Sequence, residues 1–188
     1  MSVADEVLAV RRTAGVFRLS GRALLEVRGS DRVRFLQGQL SNDVANLDPS
    51  GPHSGCYALA LTREGRVVAD FHVVARPDSF WLETAAAALP AAIARLEKFV
   101  IADDVQIADR SAAFARFAVE GPRALDLVSA AAGAPFQVEP DSAASMEIGG
   151  VEVLVAAWGS SGESALQIFA ACEHAAAAEA ALRGAGDA

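Results

Sequence analysis

The chain has 188 residues, which suits one domain or two small ones and suffices for a real hydrophobic core. Its formal net charge of −8 argues against non-specific nucleic-acid binding, which needs a basic footprint. Much of its 53% hydrophobic content is alanine, and no apolar run approaches the ~20 residues of a membrane-spanning helix.

The start, Met-Ser-Val-Ala-Asp-Glu, lacks the basic flank and apolar run of a signal peptide, so a cytoplasmic location is expected. Residues 9–29 predict a short helix, a turn, and a strand over about 22–28. Ser30 is placed to cap the next helix, with Asp31 near its positive end. Val33, Leu36 and Leu40, with Phe35, give that helix an apolar stripe. Ser41, Asn42 and Asp43 then break it and are expected to serve backbone amides. Arg11, Arg12, Arg18, Arg22, Arg28, Arg32 and Arg34 crowd the first 34 residues. They form either a solvated face or a rim for an anionic ligand tail. The stretch 47–55, with two Pro and two Gly, is a linker and the expected domain crossing.

Two apolar runs, 57–61 and 67–74, then flank the polar turn Thr62-Arg63-Glu64-Gly65-Arg66, a β-hairpin pattern. Side chains alternate along a strand, so Val68, Asp70 and His72 share one face, and Val67, Ala69, Phe71 and Val73 the other. With a two-residue loop at Glu64-Gly65, Asp70 faces Leu59 and His72 faces Tyr57; with four residues, Asp70 faces Tyr57. Either register puts Tyr57, Asp70 and His72 on one face, whereas a three- or five-residue loop flips the parity. That face reads as a solvated polar stripe or as a carboxylate held at a binding surface.

Beyond the hairpin come a strand over 79–84, a helix with Leu89, Ile93, Leu96 and Val100 on one stripe, and a strand over 105–109. A strand over 114–119 runs into a helix opened by Pro122 and ended near Gly133. A hairpin turns at Gly149-Gly150, and a loop at 159–163 precedes a strand over 165–169. An alanine-rich helix from about 171 is expected to end at Gly184. No internal repeat is visible. The loop at 159–163 lacks the Gly-Lys-Ser/Thr ending of a P-loop, and there is no Gly-x-Ser-x-Gly elbow. Cys56 and Cys172 are far apart, and His53, His72 and His174 lack ligand spacing, so neither a disulfide framework nor a metal site is expected. The order of elements predicts an α+β fold, antiparallel sheets with flanking helices, including a split β-α-β (ferredoxin-like) layout.

The order of features resembles the folate-binding family of the glycine-cleavage T-protein (GcvT, aminomethyltransferase) and the YgfZ-type iron–sulfur maintenance proteins. The resemblance rests on residues 9–17, on Gly29 to Val44 with Phe35-Leu-Gln-Gly-Gln-Leu-Ser-Asn-Asp43 inside it, and on Leu61 to Asp70. Gly121-Pro122 and Gly159-Ser-Ser-Gly-Glu163 follow in the expected order. The Gln-Gly-Gln wording and Gly-Arg-Val-Val-Ala-Asp look closer to the YgfZ type. The resemblance implies that Asp70 sits by the reactive edge of tetrahydrofolate and, in a transferase, assists one-carbon transfer. It places Tyr57 as a ligand-contacting tyrosine and Glu163 as the loop acid. A pterin-reading carboxylate of the family is replaced by Gln167, and the first of its paired acids by Ala69. The family's Lys-Gly-Cys-Tyr-x-Gly-Gln-Glu motif and its terminal barrel are not found in these residues.

The resemblance implies residues 1–50 and 112–188 packing as one discontinuous domain, with 51–111 inserted. The leading functional expectation is a tetrahydrofolate-binding YgfZ-like protein supporting iron–sulfur cluster assembly or repair and tRNA modification, with iron–sulfur proteins as partners. The alternatives are a folate-dependent aminomethyl or methyl transferase, and a scaffold of the same fold that binds no folate. An exposed apolar patch, and hence self-association or a partner chain, is also expected.

Overall fold

The computed structural model describes residues 3–186. It divides the chain into two units, Met1–Ser20 with Ala112–Ala188, and Gly21–Ser111. The change of unit falls at Ser20–Gly21, not in the linker at 47–55. Strand pairing is the reason. Strand β2 (Arg22–Arg28) lies between β5 (Ser79–Ala85) and β6 (Gln106–Asp109), antiparallel to both, and so belongs to the inserted sheet.

That sheet has the order β3-β4-β5-β2-β6, where β3 is Gly55–Leu61 and β4 is Val67–Ala75. Helices α2 (Arg32–Gln39) and α3 (Leu89–Glu97) cover one face. The apolar stripe of α2 behaves as its spacing dictates: Phe35, Leu36 and Leu40 are buried against Ala58, Phe71, Val73 and Leu82. Leu96, Ile93 and Leu89 bring α3 onto the same core. Among the described residues of this unit no helix packs on the other face, and period-two alternation gives it Tyr57, Asp70, His72, Trp81, Glu83, Glu26 and Arg22.

Ser30 does not cap α2. Its backbone N–H and hydroxyl both donate to the Asp104 carboxylate, at 2.9 and 2.8 Å, while the Asp104 N–H donates to Asp31 Oδ2 at 2.9 Å. The start of α2 is thus clasped to the segment before β6 rather than capped from within. Beyond α2, Ser41 Oγ accepts from the Leu59 N–H, and Asn42 Nδ2 donates to the Tyr57 carbonyl. These two residues fasten the break after α2 to edge strand β3.

The first unit begins with α1 (Val3–Arg12) and β1 (Gly15–Leu19), a strand where the sequence suggests the end of a short helix and a turn. Its sheet runs β1-β7-β10-β9-β8, all antiparallel, with β7 at Phe114–Glu120, β8 at Ala143–Ile148, β9 at Val151–Ala156 and β10 at Ala165–Ala171. Helices α4 (Ala124–Ala132) and α5 (Ala175–Gly186) bury Leu127, Val128, Ala178 and Leu182 against Phe117, Val155 and Ile168. Gly133 ends α4 in the left-handed conformation, φ 68°, as its position suggests. Pro122 stands ahead of α4, because the helix starts only at Ala124. Helix α5 passes through Gly184 to Gly186, since Leu182 and Ala185 pack on the core and hold that turn.

The two units share one topology, which the sequence does not reveal. In the second unit the chain runs β2-α2-β3-β4-β5-α3-β6 and pairs in the order 3-4-5-2-6. In the first it runs β7-α4-β8-β9-β10-α5 and pairs in the order 8-9-10-7, with β1 from the N-terminal segment in the place of β6.

Candidate functional site

The β3–β4 hairpin combines two of the features that the sequence sets against each other. The Thr62 N–H donates to the Arg66 carbonyl at 2.8 Å and Leu61 pairs with Val67, so the loop is the three residues Arg63, Glu64 and Gly65. Gly65 takes φ 80°, the left-handed position that closes such a turn. A three-residue loop alone would turn Asp70 into the core. Val68 is the extra residue of a β-bulge between the Leu61–Val67 and Ala60–Ala69 pairs, and it restores the parity. Tyr57 therefore lies opposite His72, and Leu59 opposite Asp70, the partners of the two-residue register.

On the helix-free face the Tyr57 hydroxyl donates to Asp70 Oδ2 at 3.1 Å. The Tyr57 and His72 rings are tilted at 56° with centroids 5.2 Å apart. Tyr57 is 44% exposed and Asp70 is half-buried. Partial burial, then the hydrogen bond to Asp70 and its negative charge, raise the Tyr57 phenol above its usual range, with Arg22 working in the opposite direction.

One residue of this face, Glu83, was not singled out by the sequence reading, and Arg22 was named there only within the N-terminal arginine cluster. Glu83 on β5 lies opposite His72 and is buried. It accepts from Arg22 Nε and Nη2 at 2.7 and 2.6 Å, and this pairing raises the guanidinium further above its already high range. An acid inside Phe80-Trp-Leu-Glu83 was the available signal. Ala69, by contrast, is 3% exposed on the helix-covered core face.

In the first unit, Glu163 is held at 2.8 Å by Arg11. Gln167 is buried on β10, its Nε2 donating to the Trp158 carbonyl at 3.4 Å. Its Oε1 is buried without a hydrogen-bond partner among the described residues. Glu120 accepts from the N–H groups of Ser160 and Ser161, so it shapes the loop at 159–163 from below. Trp158, Gly159 and Glu163 line a cavity of about 320 Å3 in this unit. Of the sequence-predicted site residues, Tyr57 and Asp70 are in direct contact within the second unit, while Glu163 and Gln167 belong to the first, on the loop and strand just described. Five of the N-terminal arginines, Arg11, Arg18, Arg22, Arg28 and Arg34, are paired with carboxylates of their own unit. No described helix is long and apolar enough to cross a membrane, and no group of three or more potential metal ligands occurs among the described residues.

Two antiparallel sheets with flanking helices make an α+β fold, and that fold is of the glycine-cleavage T-protein kind. The chain belongs to the GCVT N-terminal domain family, whose model matches residues 1–188. It is 34% identical over 171 residues to a probable aminomethyltransferase of Halobacterium salinarum, covering 87% of this chain and 46% of that protein. It is 31% identical over 191 residues to an aminomethyltransferase of Geobacillus kaustophilus, covering 98% and 50%. The crystal structure of glycine cleavage system aminomethyltransferase T from Bartonella henselae superposes with a TM-score of 0.82 at 25% identity, over 96% of this chain and 48% of that one. The chain thus spans about half the length of these relatives. Heterotetrameric sarcosine oxidase from Corynebacterium sp. U-96 shares the fold, with a TM-score of 0.61 at 18% identity over 97% of this chain and 90% of that one.

Proposed function

We propose that the chain binds a reduced folate, tetrahydrofolate, at the Tyr57–Asp70 pair and serves one-carbon transfer of the aminomethyltransferase kind. The observation that carries this reading is Asp70 itself, a half-buried carboxylate on a helix-free face, engaged by the Tyr57 hydroxyl through one of its two oxygens. An ionised carboxylate offers about four acceptor positions, so Asp70 keeps capacity for the N–H donors of a pterin. The exposed Tyr57 ring offers stacking area beside it. When bound, tetrahydrofolate supplies the nitrogen that carries the one-carbon unit; Asp70 holds a donor and orients it.

The relatives' names support the transferase alternative over the YgfZ-type expectation. So does the orientation of Ala69, which faces the core: lacking an acid there takes nothing from the face that bears Asp70. The Gln-Gly-Gln wording loses weight as a mark of the YgfZ type. Gln37 Oε1 accepts from the Val44 and Ala45 N–H groups, and Gln39 Oε1 from Arg95, which are scaffold roles. A second reading, support of iron–sulfur cluster assembly and tRNA modification without turnover, is favoured by the stretch Gly65 to Asp70.

Titration with folinic acid, read by Trp81 or Trp158 fluorescence or by calorimetry, tests the proposal. Micromolar-range affinity is expected. Asp70→Asn removes a charge-assisted hydrogen bond and is expected to cost about 1–2 kcal/mol, roughly five- to thirtyfold in affinity. Tyr57→Ala weakens binding through lost stacking area, and Asp48→Asn leaves it unchanged. No saturable binding up to millimolar ligand means a scaffold. Saturable binding without turnover of a methylamine donor favours the iron–sulfur reading.

A further inference from the structure

Arg22 on β2 and Asp70 on β4 are separated by one strand, β5. Arg22 lies opposite Ala85 in the β2–β5 register, and His72 lies opposite Glu83 in the β4–β5 register. The β4–β5 pairs end at His72–Glu83; carried on by two residues, the same register sets Asp70 level with Ala85, and the Asp70 charge does reach Arg22. Asp70, Ala85 and Arg22 therefore form one row across the sheet, with only a methyl between a carboxylate and a guanidinium. Two strand spacings are about 10 Å, and the long arginine side chain covers most of that.

Arg22 nonetheless points elsewhere. Its Nε and Nη2 both engage Glu83, which is 2% exposed, whereas Asp70 accepts from Tyr57. Bidentate arginine–carboxylate pairs are among the strongest side-chain hydrogen bonds, so a guanidinium released here would engage Asp70 in the same way. The ionisable groups on this part of the face are Tyr57 on β3, Asp70 and His72 on β4, Glu83 on β5 and Arg22 on β2.

We propose that Glu83 is a positioning residue that holds Arg22 away from Asp70, so that the Asp70 carboxylate stays open to the N–H donors of a ligand. The inference rests on the folate reading for the nature of that ligand alone. Glu83 takes the Arg22 nitrogens Nε and Nη2, so the guanidinium acts on Asp70 only through space and forms no hydrogen bond to it. The charge of Arg22 already reaches Tyr57, where it works against the rise imposed by Asp70.

Tyr57 is the single tyrosine of the chain, so the growth of tyrosinate absorbance with pH reports on this row without any ligand. In Glu83→Gln, the freed Arg22 pairs with Asp70. Tyr57 then loses its acceptor and gains a nearby cation, and its titration is expected to move down by about one pH unit. Folinic acid affinity falls about tenfold as Asp70 is masked. The double variant Arg22→Gln/Glu83→Gln has no cation to capture Asp70. Its phenol is expected at or above the wild-type position, and its folinic acid affinity within about threefold of wild type.

A folded Glu83→Gln protein with an unmoved phenol overturns the proposal. If Glu83→Gln does not fold, the double variant decides: a phenol below the wild-type position refutes the role given to Arg22. If the phenol moves as expected and the wild-type chain binds no folinic acid, the positioning of Arg22 stands and the folate reading falls.

Discussion

Gly29 and Gly121 show how much a single backbone position can require. Gly29 follows β2 with φ 110°, and a Cβ built there would lie 2.0 Å from the Asp104 carbonyl oxygen. Gly121 follows β7 with φ 136°, and its Cβ would lie 2.4 Å from the Thr13 carbonyl oxygen. Both obstacles are backbone and cannot rotate away. Alanine at either position is expected to cost about 2–4 kcal/mol, from positive-φ strain and the clash together. Gly65 also has positive φ, 80°, but open space around it. Alanine there is expected to cost only about 1 kcal/mol. Urea unfolding of the three variants makes the comparison, and a Gly29→Ala protein as stable as Gly65→Ala would contradict the close approach. The glycines are plain in the sequence; their neighbours Asp104 and Thr13 are not, because both come from distant segments.

The clasp between the start of α2 and the segment before β6 is the element with a built-in pH dependence. Asp31 is held below the usual carboxylate range, first by the Asp104 N–H and then by Arg34. Asp104 is held low by the Ser30 N–H and hydroxyl. Depressed folded-state values mean that this stabilisation is complete above the unfolded value of ~3.9 and is lost as the pH falls through the folded values. Asp104→Asn is therefore expected to lower the melting temperature at neutral pH, with the difference from wild type shrinking below about pH 4. A difference that stays constant into acid would assign the loss to shape rather than charge. Strand β2, the apolar faces of α2 and α3, and the hairpin at Gly149-Gly150 were legible in the sequence because local periodicity and turn glycines specify them. Strand β1 was not, being five residues with Arg18 inside and a partner, β7, about a hundred residues on. The Ser30 clasp was misread as a cap for a related reason, since its acceptor is 74 residues away. The hairpin face was legible up to Tyr57, Asp70 and His72, whereas Glu83 and Arg22 join it only through the β4–β5 and β5–β2 pairings.

At the scale of the whole chain, the repeated topology gives Gly29 and Gly121 a common meaning. Asp31 N–H donates to the Asp104 carbonyl two residues before β6, and Arg123 N–H donates to the Thr13 carbonyl two residues before β1. The same offset from each glycine, and the same offset to each sixth strand, mark corresponding corners of two copies of one plan. Little else aligns, since the copies put different residues on their second faces: Asp70, Glu83 and Arg22 in one, Gln167, Arg116 and Phe169 in the other. The second unit contains all its own strands and a continuous core. A fragment spanning 21–111 is thus expected to fold cooperatively, whereas 112–188 lacks β1 and is expected to need residues 1–20 supplied in trans or by fusion. Circular dichroism with thermal melts of the two fragments checks this. A fragment 112–188 that melts as sharply without residues 1–20 would show that β1 is dispensable.

The bulge at Val68 also constrains how this hairpin changes over evolutionary time. Loop length and bulge each set which way Asp70 points, and with a three-residue loop it is the bulge that faces it away from the core. A lineage that loses one loop residue while keeping the bulge exchanges the environments of Ala69 and Asp70, burying a carboxylate among Phe71 and Val73. Such a change is viable only if a second, compensating change accompanies it. Among descendants that keep Asp70 at work, insertions and deletions between Thr62 and Ala69 should therefore survive in even numbers.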